Sequence, residues 1–151
     1  MNYSTIGNIN LDQQMLLQML NDENRSLDLI NYEDESDAVV VRFNQAAAAA
    51  KNTIDSYLAN YALPFASVPV IIQEISNDLT IYNIYKRRAP ENIPDSIIVI
   101  YKDCLKILDN IQKGIISIGI SQVKPDAAQG IFRVNKTSSD KLFNNDLMKR
   151  Y

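Results

Sequence analysis

The chain has 151 residues, a formal net charge of −3, a pI near 4.9, a single cysteine, and neither histidine nor tryptophan. That length suits one domain able to bury a core without disulfide or metal support, and the acidic balance argues against a nucleic-acid binder built on phosphate neutralisation. The lack of histidine removes Ser–His and Cys–His catalysis and histidine metal sites.

The hydrophobic fraction, 46%, is that of a globular protein. The opening, MNYSTIGNINLDQQ, has neither the basic region nor the apolar run of a signal peptide. No apolar run reaches the ~20 residues of a membrane span. The expectation is a soluble intracellular protein assembled in the reducing cytosol.

In chain order, Leu11, Met15, Leu16, Met19 and Leu20 recur at helical spacing behind a cap at Asn8 or Asn10, giving a short helix over 10–20. Residues 21–37 are acidic and rich in Asn, Ser and Asp, and read as a mobile loop with a turn near 27–30. Ser36 or Asp37 caps a long second helix. Its face is Val39, Val40, Phe43, Ala46, Ala47, Ala50, Ile54, Tyr57, Leu58 and Tyr61, about 35 Å long at ~1.5 Å per residue. Its five consecutive alanines, 46–50, favour helix and suit a close crossing within the subunit.

SYLANYALPFASVPVII, residues 56–72, ends that helix. Leu63 and Val68 each precede a proline and are pushed from helical angles. Tyr61, Leu63, Pro64, Phe65, Val68 and Pro69 then form a rigid corner, with Leu63, Phe65 and Val68 plugging the core. Pro69 suits the first turn of a third helix facing inward through Ile72, Ile75, Leu79, Tyr82 and Tyr85. RRAPENIPDS breaks the chain again, and Pro94 opens a fourth helix with the stripe Ile97, Ile98, Tyr101, Leu105, Leu108 and Ile111, stopped by Gly114. IISIGI reads as a short strand or an extended arm. Residues 121–142 form a polar linker, and 143–151 turn apolar again through Phe143, Leu147, Met148 and Tyr151. This ending either folds back on its own body or docks on a partner. As a helical turn it places Phe143, Leu147 and either Met148 or Tyr151 on one side, with Asp146 and Arg150 on the rim.

Chemical motifs are few. Cys104 sits among Tyr101, Leu105 and Leu108 and reads as a small core residue. Glu33, Asp34, Glu35 and Asp37 lack the D-x-D-x-D-G spacing of a calcium loop. Arg87 and Arg88 read as cations offsetting a helix C-terminus, and four glycines supply no phosphate loop. No catalytic, metal or cofactor site is assigned, and the expectation is a protein that is not an enzyme.

A family resemblance covers most of the chain, apart from the acidic loop and 121–142. It rests on Tyr57-Leu58-x-x-Tyr61-x-Leu63-Pro64-Phe65-x-x-Val68-Pro69-x-Ile71-Ile72, then Asp78 and Tyr82 before IYKRRAPENIP. It continues through Tyr101-Lys102-Asp103-x-Leu105-x-x-Leu108, IQKGIISIG, the opening YSTIGNI and the ending Phe143-x-x-Asp146-x-Met148-x-x-Tyr151. In their order and spacing these elements resemble the Mu-type phage head–tail connector (neck) proteins.

The resemblance implies a mostly α, single-domain bundle of about four helices over 1–120, with a short extended segment and, over 121–151, a linker and docking arm. It further implies a subunit of a ring, commonly a dodecamer, lying beneath the portal protein and meeting tail or tail-completion proteins. DNA would pass through without sequence-specific binding, and the protein would reside in the virion and, during assembly, in the host cytoplasm. Phe143, Asp146, Leu147, Met148 and Tyr151 would contact the partner. A cytosolic helical adaptor or regulatory domain recruiting a partner through the same arm is the alternative.

Overall fold

The computed structural model describes residues 2–9 and 11–123. Four α-helices and one 3₁₀ turn follow in order: α1, Gln13–Leu20; the turn, Leu27–Leu29; α2, Ala38–Tyr57; α3, Val70–Arg88; and α4, Asp95–Gln112. The described chain is a mostly α bundle, with no strand among the described residues.

α3 is central. It runs antiparallel to α2, because Asn83 Nδ2 donates to Ala46 O at 3.1 Å while Ser76, one third along α3, meets a segment held near Asp55. It also runs antiparallel to α4, pairing Tyr82 with Tyr101 (stacked, centroids 4.0 Å apart) and Asp78 with Cys104. Small side chains line α2 where it meets α3: Ala46, Ala47 and Ala50 are buried, and the Asn83 amide reaches the Ala46 carbonyl.

Two apolar clusters fill the bundle. One gathers Ala50, Ile54, Leu58, Tyr61, Ile72, Ile75, Leu79, Cys104, Leu108, Ile111, Ile118 and Tyr3 at the end where α2 stops and α3 starts. The other joins Leu16, Leu17 and Leu20 of α1 to Ile30, Val39, Phe43, Ala46, Ala47 and Ile84.

Element ends depart from the sequence reading in several places. α1 starts at Gln13, capped by Asp12, whose carboxylate accepts from Met15 N at 3.0 Å, rather than by Asn8 or Asn10. Asp37, not Ser36, caps α2 by accepting from Val39 N at 2.9 Å. α2 stops at Tyr57 instead of continuing through Tyr61, so it is about 30 Å long. Leu58 N bonds back to both Ile54 O and Asp55 O, tightening the last turn, and the next residues swing Tyr61 beneath the core.

Pro69 and Pro94 stand just before α3 and α4 rather than inside their first turns. The stripe assigned to α4 is only partly covered: Leu108 and Ile111 are buried, with Cys104 beside them, while Ile97, Ile98, Tyr101 and Leu105 stay half-exposed. After α4 the chain bends instead of forming a strand, because Gly114 (φ +74°) and Gly119 (φ +78°) take left-handed angles that break an extended run. Ile118 is buried there. Gln122 Nε2 reaches Ile111 O and Gln112 O at 3.3 Å, and Val123 N donates to Asn60 O at 2.8 Å, tying 122–123 to the body.

Candidate interaction surfaces

The proline corner is the first candidate. Tyr61 is buried, with its hydroxyl 3.4 Å from Ile111 O and 3.3 Å from Gln122 Nε2, so one phenol joins the corner, the end of α4 and the segment beyond it. Leu63, Phe65 and Val68 are half-buried against the adjoining cluster, and Phe65 lies 6.0 Å from Tyr3 between ring centroids. Pro64 is exposed, and the Leu63–Pro64 peptide is cis. Because the helices alternate in direction, Val70, Ile115 and Val123 project at this same end, 68%, 70% and 54% exposed. Exposed apolar side chains thus gather at this end, beside the Lys113–Asp109 ion pair. The other predicted contact residues, Phe143, Asp146, Leu147, Met148 and Tyr151, lie outside the described residues.

The opposite end is charged, which sequence reasoning missed. Asp22, just past α1, accepts from Arg87 Nη1 at 2.7 Å and Arg88 Nη1 at 2.8 Å, with Arg42 Nε 3.3 Å away. Arg42 also binds Glu23 and donates to Leu20 O at 2.8 Å. Arg25 pairs with Asp37 at 2.7 Å, so that one carboxylate both caps α2 and pins the acidic loop. The Arg87 hydrogen bond holds Asp22 below the usual carboxylate range, the Arg42 bond brings Glu23 down to about 2, and the Arg25 bond lowers Asp37. Arg87 and Arg88 do end α3, but their side chains serve loop 21–37. The pairs lie up to 66 residues apart, so only the acidic loop's composition hinted at them.

Nor did the sequence reading assign the N-terminal segment a place. Tyr3 OH donates to Asp55 Oδ1 at 2.5 Å, Lys51 Nζ sits 5.3 Å from the Tyr3 ring centre, and Ser4 Oγ meets Ser76 Oγ at 2.5 Å inside the bundle. Burial, with Asp55 beside it, pushes the Tyr3 phenol well above its ordinary range. An aromatic at position 3 amid polar residues was the available signal.

Cys104 is buried, and that burial pushes its thiol up to about 12, far from a nucleophile's poise. Its neighbour Asp78, 3.8 Å away, is raised by burial and by the Glu74 charge. Among the described residues no group of three or more metal-ligating side chains gathers, and no helix is long and apolar enough to cross a membrane.

The family described as Bacteriophage Mu, Gp36 matches residues 8–135, a span that takes in all four helices and the corner. The chain belongs to this family. It is thus a phage or prophage protein. It is also similar to the Mu-like prophage FluMu protein gp36 of Haemophilus influenzae, 31% identical over 81 residues. That alignment covers 53% of this chain and 55% of the relative, so the chain spans about half the length of the curated relative it matches. Among the described residues of this Gp36-family protein, exposed apolar side chains occur at the corner end, on the outward side of α4, where Val99 and Ile100 are 55% and 41% exposed, and around the acidic loop, where Leu29 is 70% exposed.

Proposed function

We propose that the protein is a structural, non-catalytic virion component, a head–tail connector subunit forming a ring beneath the portal that joins head to tail and lets DNA pass. The observation that carries this reading is membership of the Bacteriophage Mu Gp36 family across 8–135. The body supports it in three ways. A corner fastened by Tyr61 fixes the angle between α2 and α3, which matters where angular errors accumulate around a closed ring. Val99 and Ile100 on α4 and Val70, Ile115 and Val123 at the corner end give neighbours apolar area to cover. The net charge of −3 leaves passing duplex free of a retarding basic lining.

In this reading the partners are the portal protein and tail or tail-completion proteins, the site is the virion, and assembly takes place in the host cytoplasm. Electron microscopy of the protein mixed with the portal protein of the same phage or prophage tests the proposal. A ring seated on the portal is the expected result. A monomer indifferent to the portal that captures one host protein would replace the connector with a cytosolic adaptor, and tight, salt-sensitive binding of duplex DNA by the free subunit would replace it with a nucleic-acid role.

A further inference from the structure

A groove of about 830 Å³ runs along the N-terminal half of α2, between the strap at residues 2–6 and the acidic loop. Its lining includes Ile6, Tyr32, Val40 and Val41 as an apolar floor, with Glu33 and Glu35 on the rim and no lysine or arginine. Tyr32 and Val41 are each 37% exposed. Neither Glu33 nor Glu35 has an ion-pair partner among the described residues, although every acidic residue of the neighbouring Asp22, Glu23 and Asp37 set does. The groove therefore combines apolar area with two uncompensated negative charges.

We propose that this groove binds residues 141–151 of the same chain in the free subunit. Charge is the first argument. Residues 2–123 carry nine basic and fifteen acidic side chains, whereas 124–151 carry six basic and three acidic, so the two parts of the chain have opposite sign. Within 141–151, Lys149 and Arg150 match Glu33 and Glu35, and Phe143, Leu147, Met148 and Tyr151 match the apolar floor.

Length is the second. The described chain ends at Val123, fastened to Asn60 at the far end of α2. From Tyr57 back to Val41 along the helix is about 24 Å. The 17 residues between, 124–140, would have a root-mean-square span of about 21–25 Å as a random coil. Matching of span and separation gives the largest effective concentration, on the order of millimolar, so even a weak contact is populated within one chain. The pairing does not depend on the connector reading: it is a property of the isolated subunit.

The full chain tests this by amide hydrogen exchange followed by NMR. Amides within 143–151 are expected to exchange about ten-fold more slowly than unstructured references, the protection given when effective concentration exceeds the dissociation constant ten-fold. Glu33→Lys with Glu35→Lys removes the protection, Lys149→Glu with Arg150→Glu removes it too, and combining all four restores it. Circular dichroism of each variant checks that the exposed substitutions leave the helices in place. The level stays constant on dilution, because the contact is within one molecule. Reference exchange rates in the wild-type chain, indifference to the groove charges, or protection that grows with protein concentration each overturn the assignment, the last by giving the groove to a neighbouring copy's ending.

Discussion

Replacing Leu108 by Ala tests whether α4 is a structural helix on one side and a contact surface on the other. Leu108 is fully buried between α4 and the α2–α3 pair. Truncating such a leucine costs about 2–5 kcal/mol, counting lost transfer energy and the cavity left behind. A body of roughly 120 residues unfolds with an entropy near 0.25 kcal/mol/K, so Tm should fall by about 8–20 °C. On the same helix Val99 is 55% exposed, and Val99→Ala should change stability by less than about 0.5 kcal/mol, or ~2 °C. Val99→Asp with Ile100→Asp should leave Tm nearly as it was while weakening self-association, read by analytical ultracentrifugation across a concentration series. Differential scanning calorimetry of the single variants supplies the contrast. A Leu108→Ala shift below about 3 °C, or a Val99→Ala shift equal to it, would refute the two-sided account of α4.

Asp78→Asn should raise Tm at pH 7, because burial and the Glu74 charge lift the native carboxyl's pKa and the charged form is disfavoured by the fold; the gain should vanish near pH 3, where the Asp78 carboxyl is protonated folded and unfolded alike, and a lower Tm at pH 7 would contradict it. In alkali the signs also follow from raised values. Cys104, at about 12, contributes stability that is complete below a free thiol's ordinary 9 and lost as pH rises through 9–12, with Tyr3 acting in the same direction, so ellipticity should fall in that window and a profile flat to pH 12 would count against the buried placement of both groups. In acid, Glu23, Asp22 and Asp37 have lowered values, so their contribution is present above the ordinary carboxylate range of about 4–4.5 and disappears as pH falls toward 2. Amides of 21–37 should lose exchange protection over that range before those of α3 do, and simultaneous loss would show that the arginine cluster does not hold the loop separately.

Periodicity made the helices legible wherever it coincided with burial. Seven of the α2 positions read as inward-facing are buried, and the alanine run meets α3, where Asn83 donates to Ala46 O. The end of α2 was not legible, because Leu58 and Tyr61 are both buried and keep helical spacing although a turn separates them. A hydrophobic pattern records that a residue leaves water, not whether the backbone stays helical to take it there. α4 shows the converse. Its apolar residues outnumber the buried ones because it is an edge helix, and a sequence does not say which neighbours come to cover it. IISIGI alternates like a strand, yet two left-handed glycines decide otherwise. The arginine cluster was illegible for a different reason: ion pairs have no period, and Arg87 beside a helix end already had a sufficient local explanation.

The two ends of the body differ in what a partner must displace. At the corner end, Val70 and Ile115 are about 70% exposed, and full burial of such side chains is worth about 1.5–3 kcal/mol each, so covering both contributes roughly 2–4 kcal/mol. At the other end the arginines already hold carboxylates. A partner covering them must remove water from paired ions, which can consume the whole gain unless it supplies new hydrogen bonds of equal quality. Area for area, the corner end is where association is favoured, and Tyr61 stiffens that end from inside. Val70→Asp with Ile115→Asp should therefore reduce self-association or portal binding by more than ten-fold, since even 2 kcal/mol exceeds the 1.4 kcal/mol of one decade. Arg88→Gln at the opposite end should change either by less than three-fold. Sedimentation velocity measures the first and co-sedimentation with portal rings the second. Stronger inhibition by Arg88→Gln than by the apolar pair would mean that the charged end is the docking end, and the reasoning from desolvation would be wrong.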